Sequence, residues 1–402
     1  MKWKTCLISL LTGSILLSGC WDAHELGDLA FVAGMGVDLT KKGLYDVSFQ
    51  IVNPGQVSGG QSSSQSGQGT AVTTYSETGK SLFEAVRKAS REVPRRLAFA
   101  HTSVFIIGER LARSGKLPKI LDFIERYYKF RSTTLVLVAK HGKAKPILTI
   151  LNPLEKVPAV KIMETIGKGA ELLGGNIKLN INDVVQALTN PTRSLSLIGI
   201  ELYGNPAKGQ TMIKNQQVIP TAVVKINGLA IFKQGKLEGW LEGQKAHGAS
   251  WVQNKINKTV VQLPCKKNGG VMAVEVLRSK TNLKPSVHGN KEKMKISIRA
   301  EGNLQEVSCR LDIKNPVVIR KLQDQFSAKI EKDAMAAVKA AQKHRADIFG
   351  FGDVVEREYP DRWKKLEKNW PETFSKMKVN FNVKFFIRRS GLRTNPLIYK
   401  KS

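Results

Sequence analysis

Cysteine is scarce in this 402-residue chain, 4 in all, and histidine nearly as scarce, at 6. Cys6 and Cys20 lie near the N-terminus, so only Cys265 and Cys309 belong to the body of the protein and no disulfide framework can hold the fold. The histidines stand at 24, 101, 141, 247, 288 and 344, and no two are four residues apart, the spacing that sets two metal ligands on one helical face. His24-Glu25 lacks the second histidine of a zinc-protease helix. No metal and no cofactor is expected. Beyond the N-terminus no stretch approaches the roughly 20 apolar residues of a membrane-spanning helix.

Catalytic patterns are missing too. There is no Gly-x-Ser-x-Gly elbow for a nucleophilic serine, and Glu356 and Glu358 form a carboxylate pair without distinguishing context. Gly79-Lys80-Ser81 resembles the end of a phosphate-binding loop, but Thr74 stands where that loop requires glycine. Gly34-Met35-Gly36 falls within a hairpin rather than between a strand and a helix, so it reads as a kink in a strand. The expectation is of no catalytic residue and no enzyme. Acidic residues are few as well: 33 against 64 Lys and Arg, a formal net charge of +31.

What is present begins with a leader. Met1-Lys2-Trp3-Lys4 is cationic, Cys6 to Leu17 is mostly apolar, and Leu17-Ser18-Gly19-Cys20 follows. This is the pattern of a signal peptide, residues 1–19, ending in a lipobox. Cys20 is then expected to carry an S-diacylglyceryl group and, on its new amino terminus, an N-acyl chain. A single acyl chain binds a bilayer only marginally, whereas two or three hold firmly. Without Lys2 and Lys4 the mature chain would have 62 basic and 33 acidic residues, or +29. Outside the cytoplasm the polyanions at hand are anionic lipid headgroups and wall polymers. Nucleic acid is not expected, because there is no zinc-finger spacing and no basic stretch interleaved with aromatics.

The body reads as α+β, with three mixed α/β domains in an elongated arrangement behind the lipid anchor. After a tether at 20–30, the first domain covers 31–155. Phe31 to Asp38 and the alternating Tyr45, Val47, Phe49 and Ile51 make a hairpin turning at Lys41-Lys42-Gly43. The Gly/Ser/Gln/Thr-rich run 55–70 is expected to be a mobile loop. A middle domain is expected at 156–257, with a helix over Val160 to Leu173 and strands at Leu195 to Tyr203, Val218 to Val224 and Leu229 to Phe232. The last domain, 258–402, holds a long helix over 316–347, begun by Asn315 as N-cap and Pro316 at the first helical position. Trp363, Leu366 and Trp370 form a shorter stripe, and strict alternation from Val379 to Ile387 predicts a strand over 378–388. Cys265 and Cys309 either pair, if their Cα atoms come within about 7 Å, or are ordinary small core residues.

Three segments together resemble the Ger(x)C family, the lipoprotein C subunits of nutrient germinant receptors in spore-forming Bacillus-type bacteria. They are Leu17 to Asp38, with the lipobox running into Cys-Trp-Asp; Gly228 to Ile256; and Ala346 to Gly391, with Asp-Ile-Phe-Gly-Phe-Gly, Tyr-Pro, a Trp-bearing helix and an Arg-Arg strand. The resemblance implies a non-enzymatic, three-domain α+β protein on the outer face of the spore inner membrane, working with integral-membrane A and B subunits. Of the family positions only Cys20 carries a defined chemical role; Gly350, Gly352, Trp363 and Trp370 match the motif but read as helix termination and core packing. The alternative is a free-standing solute-binding lipoprotein, which would need a cleft between two domains lined with converging polar and aromatic groups.

Overall fold

The computed structural model describes Trp3 and residues 25–57, 69–127, 130–172, 178–210, 218–265, 270–288 and 291–389. Apart from Trp3, the leader, the lipobox with Cys20, His24 and most of the expected loop 55–70 lie outside the described residues.

The first sheet has nine strands: β1 (Leu29–Leu39), β2 (Tyr45–Val52), β3 (Val72–Gly79), β4 (Arg96–Ala98), β5 (Val104–Gly108), β6 (Leu135–Ala139), β7 (Ser196–Gly204), β8 (Ala222–Lys233) and β9 (Lys236–Leu241). Their order is β3-β2-β1-β5-β6-β7-β8-β9, with β4 paired to the start of β1. The four central strands β1, β5, β6 and β7 run parallel and the flanking ones antiparallel. Every residue of β5 and β6 is buried. Parallel strands covered on both faces read as continuous apolar runs, and Val-Phe-Ile-Ile-Gly and Leu-Val-Leu-Val-Ala do so. One face packs on helices Leu82–Lys88, Leu117–Arg126 and Ile181–Thr189, the other on Ala144–Leu148 and Pro158–Leu172.

The expected hairpin is β1-β2, turning through Gly43 at φ 79°. The β1 register shifts between Val32 and Gly34, and both glycines of Gly34-Met35-Gly36 admit close packing from above. A Cβ on Gly34 would sit 2.8 Å from Leu148 Cδ2, and one on Gly36 2.9 Å from Ala144 Cβ. Asp38, buried at the end of β1, accepts from the amides of Ala144 at 2.9 Å and Lys145 at 3.2 Å, so it fixes the start of helix Ala144–Leu148.

Two expectations are corrected here. The sheet does not break at 155/156: Val138 of β6 pairs with Gly199 of β7, so strands on both sides of that expected boundary share one hydrogen-bonded sheet. The expected strands at 218–224 and 229–232 are not separate: 222–224 and 229–232 both belong to β8, which starts at Ala222, after 218–221, and continues through Gly228 at φ 85°. Asn227 and Gly228 fall at the register shift opposite Gly199, an extra-residue bulge that interrupts the pattern between the two expected strands.

The second sheet, in the order β10-β11-β12-β13, comprises β10 (Thr259–Pro264), β11 (Val271–His288), β12 (Lys291–Val307) and β13 (Lys378–Arg389). β11 and β12 form a long antiparallel hairpin, and β13 joins β12 in parallel after a helical crossover. The crossover helix spans Pro316–Lys343, four residues short of the expected end, because Arg345 turns left-handed at φ 52°. Asn315 caps it, its side chain accepting from Val317 N at 2.9 Å. Leu322, Phe326, Ile330, Ala334, Ala337 and Ala341 face inward as their spacing predicts. Helix Gln244–Val252 crosses it so closely that a Cβ on Gly248 would overlap the Asp333 carbonyl oxygen. Through that contact Leu229, Ile231, Leu241 and Trp251 join the core of the second sheet.

Candidate functional site

The residues singled out for chemistry do not converge. Cys20 lies outside the described residues, and the first described strand starts nine positions after it, at Leu29. Ser81 is an N-cap, accepting from Glu84 N at 3.1 Å while Glu84 Oε2 accepts from Lys80 N at 2.7 Å. Glu356 and Glu358 are exposed on helix Phe351–Glu358. His101 packs edge-on against Phe31, and His141 meets Glu109. His247 is bonded to Thr259 Oγ1 at 3.0 Å, and burial holds its pKa below the usual value. Among the described residues no three His, Cys, Asp or Glu side chains cluster in a way that could hold a metal. Cys265 and Cys309 are placed in disulfide linkage, Cα atoms 5.8 Å apart, joining the end of β10 to the segment that follows β12.

What does converge is a joint between the two sheets. It is built around Asp347, a residue that periodicity alone does not distinguish. Its side chain is 2% exposed. Oδ1 accepts from Phe349 N at 3.1 Å; Oδ2 accepts from Gly352 N at 2.8 Å and from Trp370 Nε1 at 3.1 Å. Burial outweighs these donors and pushes the carboxyl up to about 6. The turn they stabilise needs Gly350 in the left-handed region, at φ 74°, and Gly352 against the backbone of Thr192, where a Cβ would overlap the carbonyl oxygen. Trp363 and Trp370 are buried with ring centroids 5.1 Å apart, so both pack in the core as expected, and Trp370 has a polar task as well.

Across the joint, Ser194 N donates to Asp347 O at 2.7 Å, and Gln253 Nε2 donates to Ile348 O at 2.6 Å. Asp353 faces Arg193 at 3.6 Å and bonds Thr192 Oγ1; burial raises its pKa while Arg193 opposes the rise. Beside these bonds a groove of about 270 Å³ opens, lined among others by Asp183, Gln186, Arg193, Ser196, Lys255 and Phe349. Asp183 is partly committed, since it closes a capping box with Asn180.

A second polar cluster stands at the carboxyl ends of the parallel strands. Lys140, 5% exposed, lies 2.8 Å from Glu242 and 3.7 Å from Glu201. Glu201 also accepts from Asn227 at 2.6 Å and Tyr203 at 3.0 Å, and Trp240 Nε1 donates to Glu109 at 3.3 Å. These groups satisfy one another and tie β9 across the sheet. A signal for them existed in the sequence: lysine directly after five buried apolar residues, Leu135–Ala139.

Both sides of the joint lie in segments that match known proteins. Residues 22–202 match the model of the spore germination protein N-terminal domain, and 227–391 that of the Spore germination B3/GerAC-like C-terminal domain. The chain is 34% identical to Spore germination protein KC of Bacillus subtilis (strain 168) over 98% of both chains. It is 25% identical to Spore germination protein B3 of the same organism, over 94% of this chain and 95% of that one. The crystal structure of the GerBC protein superimposes with a TM-score of 0.58 at 23% identity, covering 91% of this chain and 100% of that chain, which bears on the fold alone. The turn at Asp347 and the helix Gln244–Val252 both fall within the matched C-terminal domain, and with full-length similarity at both ends the chain belongs to the Ger(x)C family of spore germination proteins.

Proposed function

We propose that this chain is the lipid-anchored C subunit of a nutrient germinant receptor, held on the outer face of the spore inner membrane by acyl groups on Cys20. It acts there without catalysis, as a scaffold for integral-membrane A and B subunits. The observation that carries this reading is the full-length similarity to Spore germination protein KC, 34% over 98% of both chains. The lipobox supports the anchor. Among the described residues no helix is long and apolar enough to cross a membrane, so attachment through Cys20 is the route the sequence offers.

Deleting the protein should lower the abundance of its multi-spanning partners and abolish the response to the nutrient they serve, leaving unrelated triggers effective. Normal partner levels and a normal nutrient response in the deletion strain would refute the scaffold. Cys20→Ala should abolish fatty-acid incorporation, and equal labelling of wild type and variant would sink the anchor.

The groove beside Asp347 favours one second reading, direct binding of a small solute. Calorimetry with amino acids and sugars tests it: micromolar affinity, about 8 kcal/mol, together with unchanged partner levels in the deletion strain would replace the scaffold by a solute receptor.

A further inference from the structure

The second sheet packs its inner face on helix Pro316–Lys343 and leaves the outer face of β11, β12 and β13 exposed. Residues opposite one another on neighbouring strands share a face, and like charges so placed destabilise a sheet. On this face Lys280 stands opposite Arg299, and Arg299 opposite Lys384: three cations in one row. Two residues along, Asn282, Ser297 and Asn382 make a row of neutral hydrogen-bonding groups, and beyond them Lys284 faces Lys295. On the other side of the cation row, Glu301 lies between two arginines. It accepts from Arg388 Nε at 2.7 Å and pairs with Arg278, whose side chain is 78% exposed.

Glu301 is the one carboxylate in these rows. Among the described residues no ion pair engages Lys280, Arg299 or Lys384, and the Arg299 guanidinium lies 4.6 Å from the centre of the Phe386 ring. Two shallow grooves open here. One of about 210 Å³ is lined by the cation row and the Asn-Ser-Asn row; the other, of about 200 Å³, by Arg278, Lys280, Arg299, Glu301 and Arg388.

We infer that the outer face of β11, β12 and β13 is a docking surface for the anionic phosphate headgroups of a lipid bilayer. A face that had only to stay soluble would intersperse both signs. Three aligned cations cost stability and are useful only toward an anion. Ammonium and guanidinium groups beside amide donors match phosphate oxygens, whereas a protein partner would seek an apolar anchor at the centre of the patch. The aromatic in these rows, Phe386, is half-buried and stacked against Arg299. A bilayer supplies several phosphates at once across the width of three strands.

This inference rests on the reading that the chain sits at a membrane, but it concerns side chains that act without the lipid. The test is co-sedimentation of the chain from residue 21 onward, which keeps every described strand, with phosphatidylglycerol-containing vesicles and with pure phosphatidylcholine vesicles. A cation at an anionic surface strengthens binding about fivefold, so Lys280→Gln/Arg299→Gln/Lys384→Gln should weaken partitioning at low salt about 100-fold. The control Lys321→Gln/Lys332→Gln/Lys339→Gln removes the same charge from the exposed side of helix Pro316–Lys343 and should retain wild-type binding within a few-fold. All six side chains are exposed, so circular dichroism should show both variants folded. Equal loss in the two triples, unchanged binding of the sheet triple, or equal wild-type binding to neutral vesicles would overturn the inference. Fatty-acid labelling at Cys20 reports the anchor separately, so the two readings fail independently.

Discussion

Asp347→Asn separates the work of a buried carboxylate from that of its shape. The two Asp347 oxygens accept from two backbone amides and the Trp370 indole at 2.8 to 3.1 Å, and asparagine would put an NH₂ group in the place of one of them. In either orientation at least one N–H donor then faces another donor in a site 2% exposed to solvent. Orphaning a buried donor costs about 1–3 kcal/mol, and hydrogen bonds to a charged acceptor contribute about 1.5–3. The variant should therefore be about 3 kcal/mol less stable at pH 7.

The pH dependence supplies an independent check on the same residue. The folded pKa, about 6, lies above the ordinary aspartate value, 3.8. The native state then binds the proton more tightly than the unfolded chain, and its stability rises as pH falls from 7 through 6 toward 4. Between pH 7 and pH 5 this contributes about 1 kcal/mol. Asparagine does not titrate, so the gap between wild type and variant should widen by that amount on acidification. His247, lowered by burial, acts in the opposite direction but is present in both proteins and cancels in the difference. Urea unfolding at pH 7 and pH 5 measures both quantities. A variant as stable as wild type, or a gap that narrows in acid, would refute the account of the joint.

Other perturbations test other contacts. Cys265→Ser should remove a cross-link spanning 44 residues and lower stability by up to about 4 kcal/mol on the loop-entropy estimate; a non-reducing mass showing two free thiols in the wild type would remove the premise. Gly352→Ala forces a methyl against the Thr192 carbonyl and should cost about 3 kcal/mol, read as a lower urea midpoint with unchanged slope.

The parts of the fold legible in the sequence are those set by local period. Strands β2 and β13 alternate apolar with polar residues, β1 is a short run of apolar residues and glycine, and helix Pro316–Lys343 repeats its apolar residues every three or four positions. In β12 the alternation of Met294, Ile296, Ile298 and Ala300 is as plain, and all four are buried, but the far half of β11 was less visible because what faces inward there is only partly apolar. Thr281 is buried by donating to the Trp251 carbonyl at 2.6 Å, and Pro285 stands past Val276, where β11 no longer has β10 beside it and a missing amide is tolerated. Strand order was invisible for a different reason. β6 and β7 are separated in sequence by three helices, and their pairing depends on layers packing above and below the sheet, which no local pattern records.

The joint was half legible. Its glycines and tryptophans stood out, whereas Asp347 looked like one more acidic residue, although a lone carboxylate within Ala-Asp-Ile-Phe-Gly-Phe-Gly has no water to turn to and must find donors. The same logic runs through all three segments that carry the family resemblance. Asp38 ends the first by holding the amides of helix Ala144–Leu148. Gly248 in the second lets two helices cross at backbone distance, and Gly352 in the third does the same against Thr192. Each is a residue whose substitution would move one layer relative to another. Few of their side chains line the groove beside the joint, and among the described residues none belongs to a metal cluster. Contacts made at backbone distance leave no room for one layer to slide on the next, so these residues fix how the layers sit against each other.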